Sequence, residues 1–312
     1  ASALTQAFEA GDAVALALPG RFVHGRGRRA WQEAMELLAD VELSSGTPSS
    51  PPRHSVTAED IVRHEYEVLR ALLTPAVLMV LALSLLGQVL SFLPEPIGSN
   101  AQAFSDGART TLWLTLVSGA VGLVLGTVAA LARTARWVAV RWVASFYIWA
   151  IRGTPLLVQI LFVYFALPVL VPGLNLPDFA AAVVALGLNV GAYNAEALRA
   201  GLLAVPRGQT EAAKALGLGR THVFLDVVFP QAFKISLPPL VSNFVALLKD
   251  SSLAYAIGVV ELTNVGNRIQ SATFQPIATL TTVAVTYLLL TTLVTQISNA
   301  VEYRFDVEGR NQ

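Results

Sequence analysis

Six long stretches of apolar residues constrain this chain more than any other feature of its sequence. A helix needs about 20 mostly apolar residues to cross the roughly 30 Å hydrocarbon core of a bilayer. Three stretches carry no charge and are long enough alone, two are shorter, and one is interrupted by Lys249 and Asp250. The stretches are residues 72–93, 110–132, 155–172, 179–195, 235–260 and 277–301. They predict an all-α polytopic membrane protein with about six transmembrane helices.

The charge content of the chain agrees with this class of protein. Only 13% of the 312 residues are charged, against about 25% in soluble domains, which argues against a soluble enzyme. The 21 basic and 21 acidic residues cancel, so the composition gives no electrostatic support for binding nucleic acid. The chain has no Cys and four scattered His, which excludes thiolate chemistry and offers no metal-ligand spacing.

Basic residues in the short loops predict the orientation of the chain, because Arg and Lys are retained on the cytoplasmic side of a membrane. With the N-terminus inside, the cytoplasmic segments carry twelve basic residues, whereas Arg268 lies in an external loop. We therefore expect both termini in the cytoplasm. We also expect a multi-pass protein of the cell (inner) membrane, in contact with lipid.

The first 70 residues differ from the rest, since they hold 17 of the 42 charged residues. Residues 30–43 predict an amphipathic helix, and the Ser- and Pro-rich residues 44–56 predict a linker. Thr57-Ala-Glu-Asp60 resembles a capping box that starts a helix running into the first apolar stretch. The extension is either a surface-lying appendage or a regulatory or docking segment. The expected domains are a cytoplasmic extension at 1–70, an extra transmembrane helix at 71–94, a membrane domain at 105–302 and a cytoplasmic tail at 303–312.

Two backbone features are expected inside the membrane domain. Residues 137–171 are too long for one straight span at about 1.5 Å per residue. We therefore expect a break at Gly153-Thr154-Pro155, where Pro removes a backbone hydrogen bond. The glycine pairs Gly122/Gly126 and Gly187/Gly191 have the spacing that allows transmembrane helices to approach closely.

One segment assigned to the cytoplasmic side carries a motif with defined spacing. Glu211-Ala212-Ala213 is followed by Gly217 and, after nine residues, by Val227-Val228-Phe229-Pro230. Strong helix formers precede Gly217, which ends the helix because Gly tolerates the left-handed conformation. A second short helix at 220–229 is expected to run into Pro230. The two alanines are expected to present a small face that another protein can approach, with Glu211 and Lys214 at its edge.

This pattern resembles the EAA loop of the permease subunits of ATP-binding-cassette (ABC) importers. The resemblance implies a cytoplasmic coupling loop at 203–232 that docks on a separate ATPase; the alternative is a helical hairpin lying on the bilayer surface. The sequence has no Gly-x-x-x-x-Gly-Lys-Ser/Thr motif, so we expect no enzyme activity and no cofactor in this chain, with ATP and Mg²⁺ on the ATPase subunit. The residues implied in coupling are Glu211, Ala212, Ala213, Lys214 and Gly217.

A larger part of the chain, about residues 105–300, resembles the polar amino acid branch of these permeases (histidine, glutamine, glutamate and arginine importers). The motifs that carry this resemblance include Arg109-Thr-Thr-Leu112, Ile151-Arg-Gly-Thr-Pro-Leu-Leu-Val-Gln159, Leu188-Asn189-x-Gly191-Ala192-Tyr193 and Leu247-Leu-Lys-Asp-Ser-Ser-Leu253. The resemblance implies a five-helix type I core preceded by one extra span. It also implies import of a polar amino acid by alternating access.

The same resemblance implies several partners. They are two ABC ATPase subunits, a second permease copy that is identical or related, and an extracytoplasmic amino-acid-binding protein. Two other functions stay open from the residues alone, a permease for a different small solute and a membrane-anchored scaffold or sensor.

The few charged and polar residues near or inside the spans are the candidates for the substrate pathway. Arg152, with Gln159 beyond the break, either pairs with a carboxylate of the protein or substrate, or binds a neighbouring backbone group. Glu196 lies three residues before Arg199 on the same helical face, which predicts either a gate-region pair or a simple interfacial pair.

A second group of candidates lies in the fifth apolar stretch. Charged residues inside a span are costly and usually face an internal pathway or pair with each other. Asp250 is a candidate to meet a substrate ammonium, with Ser251 and Ser252 nearby; the alternative is a helix-packing ion pair that uses Lys249. Glu261, further along, either contacts the delivering protein or a neighbouring subunit, or caps a helix at the interface.

Overall fold

The computed structural model of the protein describes residues 58–306. Within that range the chain forms nine helices, besides a single 3₁₀ turn at Gly98–Asn100, and no strand, which confirms the predicted all-α fold. The predicted helix at 30–43 and the linker at 44–56 lie outside the described residues. The helices are α1 Ala58–Ser91, α2 Ala101–Ala132, α3 Val138–Arg152, α4 Leu156–Leu170, α5 Asp178–Ala204, α6 Arg207–Ala215, α7 Arg220–Ile257, α8 Leu262–Thr273 and α9 Pro276–Asp306.

Five of the described helices are long and apolar enough to cross a membrane, and α3 with α4 adds a sixth span if the pair is one broken span. These six match the six predicted stretches. The described part of α1 begins at Ala58 and runs into the first apolar stretch, so the predicted helix leading into that stretch is present, whereas its predicted capping residue, Thr57, lies outside the described residues. Because α2 begins at Ala101, Arg109 lies within this helix, where its Nη1 atom is 3.5 Å from Asp106 Oδ1. In the predicted orientation, the external side of the membrane therefore carries Arg109 in addition to Arg268.

The predicted break between α3 and α4 is present. The chain turns by 111° between Val138–Arg152 and Leu156–Leu170. Each half contains 15 residues and is about 22 Å long, which is shorter than the hydrocarbon core of a bilayer. Only one half of this pair can therefore run along the membrane normal, and the other is strongly inclined to it.

The crossing of α2 and α5 forms the centre of the fold. The two glycine pairs face each other, so that a Cβ at Gly126 would lie 2.9 Å from the Gly191 carbonyl oxygen. A Cβ at Gly122 would lie 3.1 Å from the carbonyl oxygen of Gly187. The prediction of close helix approach is confirmed. The helix α5 also packs against α3, α4 and α7, so it is the common support of the membrane domain.

The extra helix α1 packs on the side of the bundle formed by α2 and α9. Its buried residues Met79, Leu86 and Leu90 share an apolar cluster with Phe104 of α2 and Leu290 of α9. The opposite face of α1 exposes large apolar side chains, including Val77, Leu81 and Leu85. Such a face suits contact with lipid.

The second helix of the predicted coupling loop differs from the expectation. It is not a short helix that stops at Pro230. It passes through a π-helical turn at Val223–Val228 and continues to Ile257. Pro230 stands in the first turn of the regular α-helical part, immediately after the π turn, where the backbone hydrogen bond that Pro cannot donate matters least.

Candidate functional site

The short helix α6 ends in a Schellman motif at Gly217. Gly217 has a φ of 81°, and its N–H donates to the Lys214 carbonyl oxygen at 2.9 Å. The N–H of Leu218 donates to the Ala213 carbonyl oxygen at 3.1 Å. These two bonds satisfy helix-end carbonyl groups and reverse the chain toward α7. The predicted role of Gly217 as a helix terminator is confirmed.

The two alanines of the motif lie on different faces of α6. Ala213 is only 4% exposed, and α6 packs against the Val223–Val228 turn. The prediction that both alanines present one accessible face is therefore wrong for Ala213. Successive helical residues are about 100° apart, so Ala212 points outward when Ala213 is covered. The outward residues of α6 and its end include Glu211, Ala212, Lys214 and Leu216.

Glu196 binds two arginines where α2 ends against α5. The Arg133 Nη1 atom donates to Glu196 Oε2 at 2.9 Å, and Arg199 Nε donates to the same oxygen at 3.0 Å. The predicted pair between Glu196 and Arg199 is confirmed, and Arg133 is an addition that the sequence analysis missed. The three side chains are about one-third exposed or less. The cluster ties the end of α2 to α5.

Gln159 forms hydrogen bonds across the break between α3 and α4. Its side-chain Nε2 donates to the carbonyl oxygens of Ile151 and Thr154, at 2.7 and 3.0 Å, and lies 2.9 Å from Thr154 Oγ1. Its Oε1 accepts from Asn189 Nδ2 of α5 at 3.0 Å. Gln159 is buried, and its polar atoms are engaged by the protein. This geometry favours a role in shaping the break over contact with a substrate.

Among the described residues, Arg152 forms neither an ion pair with a carboxylate nor a hydrogen bond to a neighbouring backbone group. Its contact with a substrate carboxylate stays a prediction. Its guanidinium lies 5.2 Å from the centre of the Tyr193 ring, the geometry of a cation–π contact. One turn earlier in α3, the Tyr147 hydroxyl donates to the Leu188 carbonyl oxygen at 2.6 Å. The end of α3 is thus attached to α5 through aromatic residues, and the Arg152 side chain remains largely exposed.

Asp250 lies at the end of the regular α-helical part of α7, where a 3₁₀ segment, Ser251–Ile257, begins. Asp250 is half-buried and Lys249 is exposed. Neither belongs to an ion pair among the residues that the structure describes, so the alternative of a packing pair is not formed. Ser251 is fully buried, with its hydroxyl donating to the Leu248 carbonyl oxygen at 2.8 Å. Ser252 is half-buried and lies two residues after Asp250 in the chain.

Glu261 caps α8 and is completely buried. Its carboxylate accepts from the backbone N–H groups of Thr263 and Asn264, at 2.8 and 2.7 Å, and from the Tyr287 hydroxyl at 2.9 Å. Burial raises the pKa of this carboxyl group, although these donors oppose the shift. Of the two alternatives for Glu261, the helix cap is confirmed.

The sequence of the chain is similar to those of known transport proteins. Residues 122–307 match the family described as binding-protein-dependent transport system inner membrane component. The chain is 41% identical to the glutamine transport system permease protein of Escherichia coli strain K12 over 203 residues, which are 65% of this chain and 92% of that protein. It is 38% identical to the arginine transport system permease protein of Bacillus subtilis over 197 residues, 63% of this chain and 90% of the relative.

Solved structures agree with the sequence comparison. A crystal structure of an amino acid ABC transporter with histidines aligns with a TM-score of 0.62 and 37% identity, covering 66% of this chain and 95% of that chain. An inward-facing structure of the MetNI methionine ABC transporter aligns with a TM-score of 0.56 and 21% identity, over 68% of this chain and 99% of the other. The second likeness concerns the fold alone.

Proposed function

The chain belongs to the family of binding-protein-dependent transport system inner membrane components, and we propose that it carries a polar amino acid across the inner membrane as the permease subunit of an ABC importer. The permeases of this family are not ATPases themselves, so a separate subunit hydrolyses ATP. The relatives named for glutamine and arginine transport support a polar amino acid as the substrate class.

The observation that carries the proposal is the shape of the predicted coupling loop, residues 203–232, called the coupling segment from here on. The Schellman motif at Gly217 fixes α6 against the Val223–Val228 turn. This packing leaves charged and small side chains pointing outward, together with Leu216, which is 65% exposed. An exposed apolar side chain ringed by charges is typical of a protein contact. We assign this surface to the ATPase subunit.

The pathway is proposed to run past the start of the 3₁₀ segment in α7. Asp250 has no ion-pair partner among the described residues, and Ser252 lies two residues further along the chain. A half-buried carboxylate beside a hydroxyl suits the ammonium group of an amino acid. One permease bundle encloses only part of a pathway, so we also propose a second permease copy and an extracytoplasmic binding protein as partners.

Uptake by a reconstituted complex tests the proposed transport. The permease, its ATPase and its binding protein are placed in liposomes and supplied with labelled glutamine, arginine, histidine and leucine. We expect ATP-dependent uptake of at least one polar amino acid and much weaker uptake of leucine. Uptake of none of the four with ATP present would contradict the substrate class.

Charge reversal at the coupling segment tests the proposed contact with the ATPase. Glu211→Lys changes an exposed side chain of α6, and Glu95→Lys changes an exposed glutamate in the loop between α1 and α2. We expect Glu211→Lys to weaken ATPase binding and uptake, whereas Glu95→Lys leaves ATPase binding unchanged. Equal ATPase affinity for the two variants and the natural chain would count against the assignment.

A further inference from the structure

The turn between α2 and α3 carries a basic and aromatic surface that the proposed transport function does not use. Arg136 and Arg141 are exposed, and Trp137 and Trp142 are 76% and 68% exposed. We call this surface, made of Arg136, Trp137, Arg141 and Trp142, the Arg–Trp turn. Two exposed indoles beside two guanidinium groups require an explanation, because large exposed aromatic groups are uncommon on surfaces that face water.

No acidic residue of this part of the chain neutralises the Arg–Trp turn. Between Asp106 and Asp178 the sequence contains five Arg and no Asp or Glu. The nearest basic residue in the chain, Arg133, is already bound to Glu196. Arg136 and Arg141 therefore keep their positive charge available to a negatively charged partner.

Part of the Arg–Trp turn is held in place by its own backbone. The Arg141 Nη1 atom donates to the carbonyl oxygens of Ala135 and Arg136, at 3.0 and 3.2 Å. These bonds leave the remaining N–H groups of Arg141 available beside Arg136. A guanidinium group fixed in this way presents donors in a geometry that matches phosphate oxygens.

The exposed aromatic residues continue along one face of α3. Trp142, Phe146 and Trp149 follow one another at helical spacing, with ring centres 5.9 and 5.8 Å apart. Ala144 and Ile148 occupy the opposite, buried face. A helix with an apolar aromatic face and Arg near its ends, here Arg141 and Arg152, has the composition that lies at a membrane–water interface.

We propose that the Arg–Trp turn binds the headgroup of an anionic phospholipid in the cytoplasmic leaflet, with Arg136 and Arg141 on the phosphate. The side follows from the predicted orientation, in which α2 ends and α3 begins at the cytoplasmic face. A second copy of the chain is a poorer occupant, because a two-fold contact centred here would place four arginines together without a carboxylate. The lipid supplies both the negative charge and the acyl chains that cover the aromatic face.

Lipid titration followed by native mass spectrometry tests the proposal. The full-length chain, solubilised with its partner subunits, is titrated with phosphatidylglycerol and with phosphatidylcholine of the same acyl chains. We expect phosphatidylglycerol to bind about tenfold more tightly or better, and Arg136→Gln to weaken its binding about fivefold. The matched control Arg268→Gln removes an exposed Arg from α8 and is expected to leave phosphatidylglycerol binding unchanged.

Further arms of the experiment separate the alternatives. Arg136→Glu, which reverses the charge at a side chain without a hydrogen bond to the rest of the described chain, is expected to abolish the preference for phosphatidylglycerol. Equal binding of both lipids by the natural chain, or unchanged binding by Arg136→Gln, would overturn the proposal. Displacement of the lipid by inorganic phosphate alone would assign the site to a free anion instead. Loss of partner subunits from Arg136→Gln, with lipid binding intact, would assign the surface to a protein.

Discussion

At the scale of single residues, Gln159 shows how a helix break inside a membrane domain is kept satisfied. The break frees the carbonyl groups of Ile151 and Thr154, and the amide of Gln159 donates to both. Asn189 fixes the other end of the same amide. Irregular backbone at membrane depth is tolerated only when such groups find partners within the protein. Gln159 therefore stabilises the break between α3 and α4.

Replacing Gln159 tests this role. Gln159→Leu keeps a similar size but removes a donor to the Ile151 and Thr154 carbonyl groups and the acceptor of the buried Asn189 amide. We expect this loss to cost about 1–3 kcal/mol of stability. The measurement is the midpoint of thermal unfolding in detergent. Gln270→Leu removes the less buried hydrogen bond to Asn267 and is expected to cost about 0.5 kcal/mol or less. Equal losses in the two variants would contradict the assignment.

Glu261 gives a prediction about pH. Burial raises the pKa of its carboxyl group, whereas the unfolded chain titrates near about 4.3. The folded state therefore holds the proton to a higher pH than the unfolded state, and the stability from this group is lost as the pH rises through the raised pKa. Glu261→Gln does not titrate. We expect the unfolding midpoint of the natural chain to fall relative to that of Glu261→Gln as the pH rises above about 4.3.

The control for this pH dependence is an exposed glutamate. Glu211→Gln removes a carboxyl group that is exposed on α6 and measures how far the loss of one surface charge alone changes the unfolding midpoint. A natural chain that gains stability relative to Glu261→Gln with rising pH would show that the hydrogen bonds to the carboxylate outweigh burial.

At the scale of helices, the end of α6 depends on one backbone conformation. Gly217 has a φ of 81°, and a Cβ there would meet no heavy atom within 4 Å. The cost of Gly217→Ala is therefore backbone strain alone, about 1–2 kcal/mol. We expect α6 to fray at this end and ATPase binding to weaken about fivefold or more. Gly219→Ala is the matched control, because Gly219 has a φ of −68° and equally open surroundings.

The crossing of α2 and α5 gives the opposite case, in which space rather than φ requires glycine. A Cβ at Gly126 would lie 2.7 Å from the Cβ of Asn194 and 3.1 Å from the backbone nitrogen of Ala195. Gly126→Ala must therefore push the helices apart, which we expect to cost about 1–3 kcal/mol. Thermal unfolding in detergent measures the loss. Gly208→Ala in α6, where a Cβ meets nothing within 4 Å, is expected to leave the midpoint unchanged or to raise it, because Ala favours a helix over Gly.

At the scale of the whole molecule, the sequence predicts the spans and the local breaks well, because these follow from nearby residues. Apolar length predicts the six spans, Pro155 predicts the break, and Gly217 predicts the end of α6. The sequence does not predict the hydrogen bonds and ion pairs that join different helices. Arg133 and Glu196 are 63 residues apart, and Gln159 and Asn189 are 30 apart. No spacing rule pairs them until the helices are packed.

The burial of Ala213 was missed for the same reason. The motif Glu211-Ala212-Ala213 indicates a small-residue helix, but only the position of α7 decides which alanine is covered. The continuation of α7 past Pro230 likewise depends on the π turn at Val223–Val228, which local propensity does not predict. Contacts between distant segments thus decide which residues of a correctly predicted motif face outward.

The orientation of the whole molecule in the membrane is open to a direct test, because the natural chain contains no Cys. A single introduced cysteine is then the only thiol of the chain. Gly219→Cys lies in the coupling segment and Arg268→Cys lies on α8, and both positions are exposed.

The bias of basic residues toward one side places Gly219 in the cytoplasm and Arg268 outside. We expect a membrane-impermeant maleimide to label Arg268→Cys in intact cells and Gly219→Cys only after permeabilisation. The natural chain, which has no thiol to label, is the control. Labelling of Gly219→Cys in intact cells would show that the orientation is the reverse of the predicted one. The coupling segment would then lie outside the cell, where a cytoplasmic ATPase cannot bind it.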